Sequence, residues 1–159
     1  MSSITRFVAA SAVLLAVVSG AAIAQDYHAN PTYTTLNLTT GFQPDPQTVN
    51  VQSGGPINAQ NINSACQGFI ANAPDVRVQY TAGNTYPLII SVASSADTTL
   101  VVNGPDGQWY CDDDSGVNGM NPQVRFVHPS SGQYDIWIGT YGSSNLQPAQ
   151  LNVSEVTSQ

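Results

Sequence analysis

Gly132-Gln133-Tyr134-Asp135-Ile136-Trp137-Ile138-Gly139 decides the fold class, because Tyr134, Ile136 and Ile138 recur at every second position. A period of two belongs to a strand, where successive side chains leave opposite faces of the backbone. The same spacing recurs in Val76, Val78 and Tyr80, in Leu88, Ile90 and Val92, in Leu100 and Val102, in Val124 and Phe126, and in Leu151 and Val153. Thr34 to Leu38 and Gln47 to Val51 are weaker runs, and Cys66 to Ala71 reads as a short strand or a turn of helix. Helical periodicity is nearly absent after the first 24 residues. Turn signals separate the runs: Pro44-Asp45-Pro46, Ser53-Gly54-Gly55-Pro56, Ala82-Gly83-Asn84, Gly104-Pro105-Asp106-Gly107, Ser130-Ser131-Gly132 and Tyr141-Gly142-Ser143-Ser144. In Gly104–Gly107 proline presets φ and Asp-Gly supplies the tolerant positions, so this turn joins Thr98–Val102 to Gln108–Cys111 as a hairpin. Short strands joined by tight turns pair antiparallel, since parallel pairing needs long crossovers. The expected architecture is all-β, an antiparallel two-sheet sandwich of jelly-roll type, with a closed barrel as the alternative.

Residues 1–24 read as a cleaved signal peptide. Arg6 supplies a positive n-region, Phe7 to Val18 an apolar stretch, and Ala22-Ile23-Ala24 a small-x-small cleavage signature. The apolar stretch falls short of the ~20 residues that span a bilayer, and no second one follows, so no membrane insertion of the mature chain is expected. What remains divides into a flexible segment, 25–33, and a single β-sandwich domain, 34–156, with a frayed tail. The expected location is secreted or periplasmic.

The chain has no lysine, and its three arginines stand against ten Asp and Glu for a net charge of −7; the cations beyond the leader are Arg77 and Arg125. Such a field repels nucleic acid and anionic membrane, which excludes both as partners. It leaves an unknown protein or a polysaccharide as ligand. Cys66 and Cys111 form an even count, which in an exported protein reads as one disulfide. Closing so long a loop stabilises by roughly 4 kcal/mol in the chain-entropy model.

From residue 73 to 155 the chain resembles the bacterial pre-peptidase C-terminal (PPC) domain. The residues that carry the resemblance are Asp97-Thr98-Thr99-Leu100-Val101-Val102, Gly104-Pro105-Asp106-Gly107, Cys111-Asp112-Asp113-Asp114-Ser115-Gly116 and the G-x-Y strand from Ser131 to Gly139. The resemblance implies a small non-catalytic β-sandwich of the kind appended to secreted proteases, some of which aid secretion, bind polymers or bind calcium. The 135-odd residues after the leader leave no room for a peptidase beside it.

The run Asp112-Asp113-Asp114 is the main chemical feature. Adjacent like charges repel unless water, hydrogen-bond donors or a cation offset them. Calcium takes six to eight oxygens. Asp112, Asp113 and Asp114 with Asn118 and Asn121 form the expected calcium set, with Asp97 and Asp106 as extra ligands from the neighbouring hairpin. The alternative is a solvated Asx-turn loop whose carboxylates accept backbone N–H bonds. Trp109, Trp137 and Tyr141 are a candidate binding surface, since Trp137 shares the outward face with Asp135. Asp114-Ser115-Gly116 has the local look of a serine nucleophile. The flanking glycines of that motif are Asp113 and Val117 here, and of the two histidines only His28 precedes the serine while His128 follows it. The expected function is therefore a non-catalytic binding or structural module, with calcium the one candidate cofactor. A secreted hydrolase or peptidase-associated accessory domain is one alternative. A self-assembling surface or matrix protein, built on edge strands that few charges guard, is the other.

Overall fold

The structure is a computed structural model and describes residues 25–159; the expected leader lies outside the described residues. The elements are β1 (Thr34–Thr39), β2 (Gln47–Ser53), β3 (Ile57–Asn58), a 3-10 turn (Ala59–Asn61), β4 (Phe69–Ile70), β5 (Val76–Thr81), β6 (Leu88–Ala93), β7 (Thr98–Asn103), β8 (Trp109–Asp112), β9 (Gln123–Phe126), β10 (Gly132–Thr140) and β11 (Gln147–Ser154). One sheet runs β2-β11-β6-β9, and the body of the other runs β5-β10-β7-β8, all antiparallel. From β5 onward the chain changes sheets at every connection except the β7–β8 hairpin. That exchange pattern is a jelly roll. The hairpin turns where the sequence places it, with Gly107 at φ +74° donating to the Gly104 carbonyl at 2.9 Å.

The expectation of antiparallel pairing fails at one edge. β1 lies parallel to β5, with Thr34 opposite Val76 and Thr39 opposite Thr81. The chain between them passes through β2, β3 and β4, which is the long crossover that parallel pairing requires.

The core fills the space between the sheets. Val76, Val78, Leu100, Val102, Tyr134, Ile136 and Ile138 face Leu88, Ile90, Val92, Leu151 and Val153, all within 1% of complete burial. Alternation alone would leave the opposite faces in water, but β7 and most of β6 and β10 are buried on both. A second cluster explains the outer face of the β10 sheet. Ile57, Ala59, Cys66 and Ile70 cover Val101 and Trp137, with Trp109 and Cys111 packed beside them. The segment from β3 to β4 is thus a cover, held by pairing of Phe69 with Thr140 and by the Cys66–Cys111 disulfide. It packs so closely that a Cβ on Gly55 would stand 2.3 Å from the Ile70 backbone, and Gly55 adopts φ +153°.

Both ends of the described chain are anchored rather than loose. The Gln25 side chain donates to the Ala71 and Asn72 carbonyls. Arg77 donates to the Tyr27 and Ala29 carbonyls at 2.8 and 3.0 Å while pairing with Asp135 at 2.6 Å. The tail returns over the other sheet, where the Gln159 N–H reaches Ser91 Oγ at 3.1 Å. No helix among the described residues is long and apolar enough to cross a membrane.

Candidate functional site

The loop between β8 and β9 carries the three adjacent aspartates, and the structure splits them by role. Asp112, the last residue of β8, is a suture. Its Oδ2 accepts the Ser115 N–H at 2.9 Å and the Gln123 N–H at 2.8 Å, and its Oδ1 accepts the Ser115 hydroxyl at 2.6 Å. It therefore closes the loop on itself and ties the edge of one sheet to β9 of the other. Asn121 is 1% exposed and equally committed: its Oδ1 accepts from Thr98 Oγ1 at 2.9 Å and its amide donates to the Ser94 carbonyl at 3.0 Å. Asp106 stands at the tip of the β7–β8 hairpin, bonded to Tyr110 Oη at 2.6 Å and to the Gln108 N–H at 3.0 Å. Asn118 is exposed in the loop, and its carbonyl accepts from the Met120 and Asn121 N–H groups.

Asp97, Asp113 and Asp114 remain. They sit within electrostatic reach of one another. Burial, then Asp114, then Asp113 raise the Asp97 pKa above the usual carboxylate value; burial, then Asp114, then Asp112 do the same to Asp113. Asp97 Oδ1 is buried without a hydrogen-bond partner. Of the expected calcium set the structure brings together these three carboxylates at one corner and spends Asp112, Asn121 and Asp106 elsewhere. Among the described residues no three His, Cys, Asp or Glu side chains are close enough together to hold a metal ion as they stand.

The aromatic surface needs correction. Trp137 points away from the sandwich core as alternation requires, yet it is 0% exposed. Trp109 lies 5.4 Å away, ring to ring, and the β3–β4 cover closes over it. The Trp137 Nε1 donates to the Asn72 carbonyl at 3.3 Å. Trp137 is core, Trp109 is half-buried against it, and only Tyr141 of the three is exposed, at 48%. Tyr141 does border the acidic corner, because its N–H donates to the Asp97 carbonyl at 3.0 Å.

The other carboxylates serve the scaffold. β5 stops pairing with β10 at Ile136 and β4 begins at Thr140, leaving β10 with unpaired backbone between them. Asp75 Oδ2 accepts the Ile138 N–H at 2.8 Å, and Gly54 donates to the Ile138 carbonyl at 2.9 Å. Asp75 is 2% exposed, and burial raises its pKa to about 7 against that one stabilising bond. Glu155 accepts from Tyr80 Oη and, at 2.7 Å, from the Gly41 N–H. Burial and this carboxylate push the Tyr80 pKa up to about 12. Asp45 accepts the Glu155 N–H at 3.0 Å, Asp26 caps Ala29 at 3.1 Å, and Asp135 pairs with Arg77. Glu155 is buried, at 4% exposure. Nothing in local sequence pattern marks Asp75 or Glu155, since both act through contacts more than 60 residues distant.

No protein-family model matches the sequence. The chain is 37% identical over 113 residues to an uncharacterized protein of Synechococcus elongatus, an alignment that covers 68% of this chain and 78% of that one. The chain belongs to the family of that protein. Among solved structures, this family member is similar to the pre-peptidase C-terminal domain of a Bacillus anthracis collagenase, with 12% identity, a TM-score of 0.46, and 79% of this chain and 100% of that one covered. It is also similar to PliG, a periplasmic inhibitor of g-type lysozyme from Aeromonas hydrophila, with 16% identity, a TM-score of 0.39, and 76% and 96% coverage.

Proposed function

We propose that this protein is a non-catalytic binding module that works outside the cytoplasm and is steadied by calcium at the corner formed by Asp97, Asp113 and Asp114. The observation that carries the reading is the division of labour among the ten carboxylates. Seven hold backbone N–H groups, Tyr hydroxyls or Arg77, and the three that receive no bond from another described residue lie within electrostatic reach of one another. Hydrolytic chemistry would need converging titratable groups. Here the Ser115 hydroxyl is given to Asp112, not to a histidine. The disulfide supports an oxidising compartment.

A hard cation suits three carboxylates of which one carries an orphaned buried oxygen. The loop has to draw Asp113 and Asp114 toward Asp97, and backbone carbonyls and water complete the shell. Calcium that binds the folded state alone raises the melting temperature by mass action, by about 2.7 kcal/mol at a hundredfold excess over Kd. Calorimetry with calcium and with chelator checks this. Identical transitions, or a calcium shift that persists in Asp97→Asn/Asp114→Asn, would exclude the corner as a cation site.

A further inference from the structure

The connection from β9 to β10 lies between the tip of the β7–β8 hairpin and the turn from β5 to β6, and with them it lines a cleft of two hollows. His128 sits on the ridge between its two hollows, one of about 110 Å³ and one of about 160 Å³. Asp106, Tyr110, Phe126, Ser130 and Tyr134 line the first; Asn84 and Tyr86 help line the second. We propose that this cleft binds a neutral saccharide unit.

The first hollow is rigid. Phe126 meets Tyr110 edge to face at 4.9 Å and Tyr134 at 5.1 Å, and Tyr134 Oη donates to the Ser130 carbonyl at 2.8 Å. Tyr134, 1% exposed, backs the wall, and the half-buried Tyr110 and Phe126 present its apolar edges with little freedom left to lose on binding. Asp106 is fixed beside it. The bonds from Tyr110 Oη and then from the Gln108 N–H hold its carboxyl below the usual range, so it stays an anion. A carboxylate has about four acceptor sites; Tyr110 and Gln108 use one on each oxygen of the exposed Asp106, which leaves one acceptor site on each. Two adjacent hydroxyls match that acceptor pair.

Charge and donor inventory narrow the class. Asp106 and the net charge of −7 repel an anionic ligand. An ammonium ion would ask for acceptors alone. The cleft also carries donors in His128, the Asn84 amide and the Ser130 hydroxyl, which suits groups that both donate and accept. Tyr86 is 45% exposed on the far side of His128 and supplies a second apolar face for a neighbouring ring. Each hollow is below the ~300 Å³ at which drug-sized pockets begin, which fits one ring apiece. This inference rests on reading the protein as a binding module but not on the calcium corner.

The test is amide chemical-shift mapping of the ¹⁵N-labelled protein with chitotriose, cellotriose and maltotriose, with tetramethylammonium as a control. The expected result is saturable shifts, from at least one trisaccharide, confined to residues 84–86, 104–110 and 126–134. Tyr86→Ala and His128→Ala, both at exposed positions, should each weaken that binding about tenfold with an unchanged melting temperature. Asp106→Asn, which keeps the acceptor for Gln108, should weaken it too. No shift from any of the three sugars, shifts centred elsewhere, or shifts in the cleft from tetramethylammonium alone would overturn the assignment and leave the binding-module reading standing. Cleavage of the bound trisaccharide would do the reverse.

Discussion

Burial of Asp75 predicts that this acidic protein loses stability as the pH rises from 4 to 7, against the usual direction for carboxylates. The group is 2% exposed with a pKa of about 7, compared with 3.8 when unfolded. The folded state therefore holds a proton that the unfolded chain has released throughout that window. Stability falls with pH wherever the native state binds more protons. Below pH 3.8 both states are protonated and nothing is lost. Between 3.8 and 7 the loss grows by up to 1.36 kcal/mol per pH unit, and above 7 it levels off at about 4 kcal/mol. Asp75→Asn keeps an oxygen for the Ile138 N–H and removes the ionisation. Urea unfolding of wild type and variant at half-unit steps from pH 4 to 8 reads the difference directly. The variant should match the wild type near pH 4 and exceed it by a few kcal/mol at pH 7.5. The raised values at Asp97 and Asp113 act in the same direction but are common to both proteins and cancel in the difference. Parallel curves for the two proteins would mean that Asp75 is solvated or differently bonded, and the reasoning would fail.

Two further perturbations probe the cover and the core. Cys66→Ser/Cys111→Ser opens a loop with a sequence separation of 45 and should cost about 4 kcal/mol in urea unfolding, with a shift in Trp109 and Trp137 fluorescence as the cover loosens; an unchanged midpoint would show that the cover holds without the bond. Tyr80→Phe leaves Glu155 buried with one donor fewer and should cost about 1–3 kcal/mol in urea unfolding at pH 7; an unchanged midpoint would contradict a bond between Tyr80 and Glu155.

The strands were legible because their inward faces repeat every second residue, and the disulfide because the two cysteines beyond the expected leader have one pairing to choose. The double-sided strands were also written in the chain, as contiguous apolar triplets Leu88-Ile89-Ile90, Leu100-Val101-Val102 and Ile136-Trp137-Ile138. Near-continuous apolar runs mark strands covered on both faces, whereas a period-two reading takes alternate members and sends Trp137 to water. The parallel pairing of β1 was not legible, since nothing local distinguishes which edge of β5 a distant strand will join. The acidic run shows a further limit. A carboxylate at a strand end is an ion ligand or a backbone suture depending on whether an N–H lies opposite. For Asp112 that N–H belongs to Gln123, eleven residues on and in the other sheet.

Those sutures explain how a chain with few charges tolerates an excess of one sign. A jelly roll changes sheets at nearly every connection, so backbone N–H groups are left unpaired where strands part. A carboxylate at such a place is stabilised by the N–H it accepts, and a bond of this charge-assisted kind is about twice as strong as a neutral one. Asp45, Asp112 and Glu155 each accept a distant N–H in this way, whereas Asp75 accepts the Ile138 N–H as a neutral acid below about pH 7. A lysine cannot replace them, because an ammonium has no acceptor. On this argument the near-absence of basic residues follows from the fold's own hydrogen-bond accounting as much as from any partner. Asp97, Asp113 and Asp114 accept no bond from another described residue, and they are the carboxylates for which the proposed calcium would supply the missing partner.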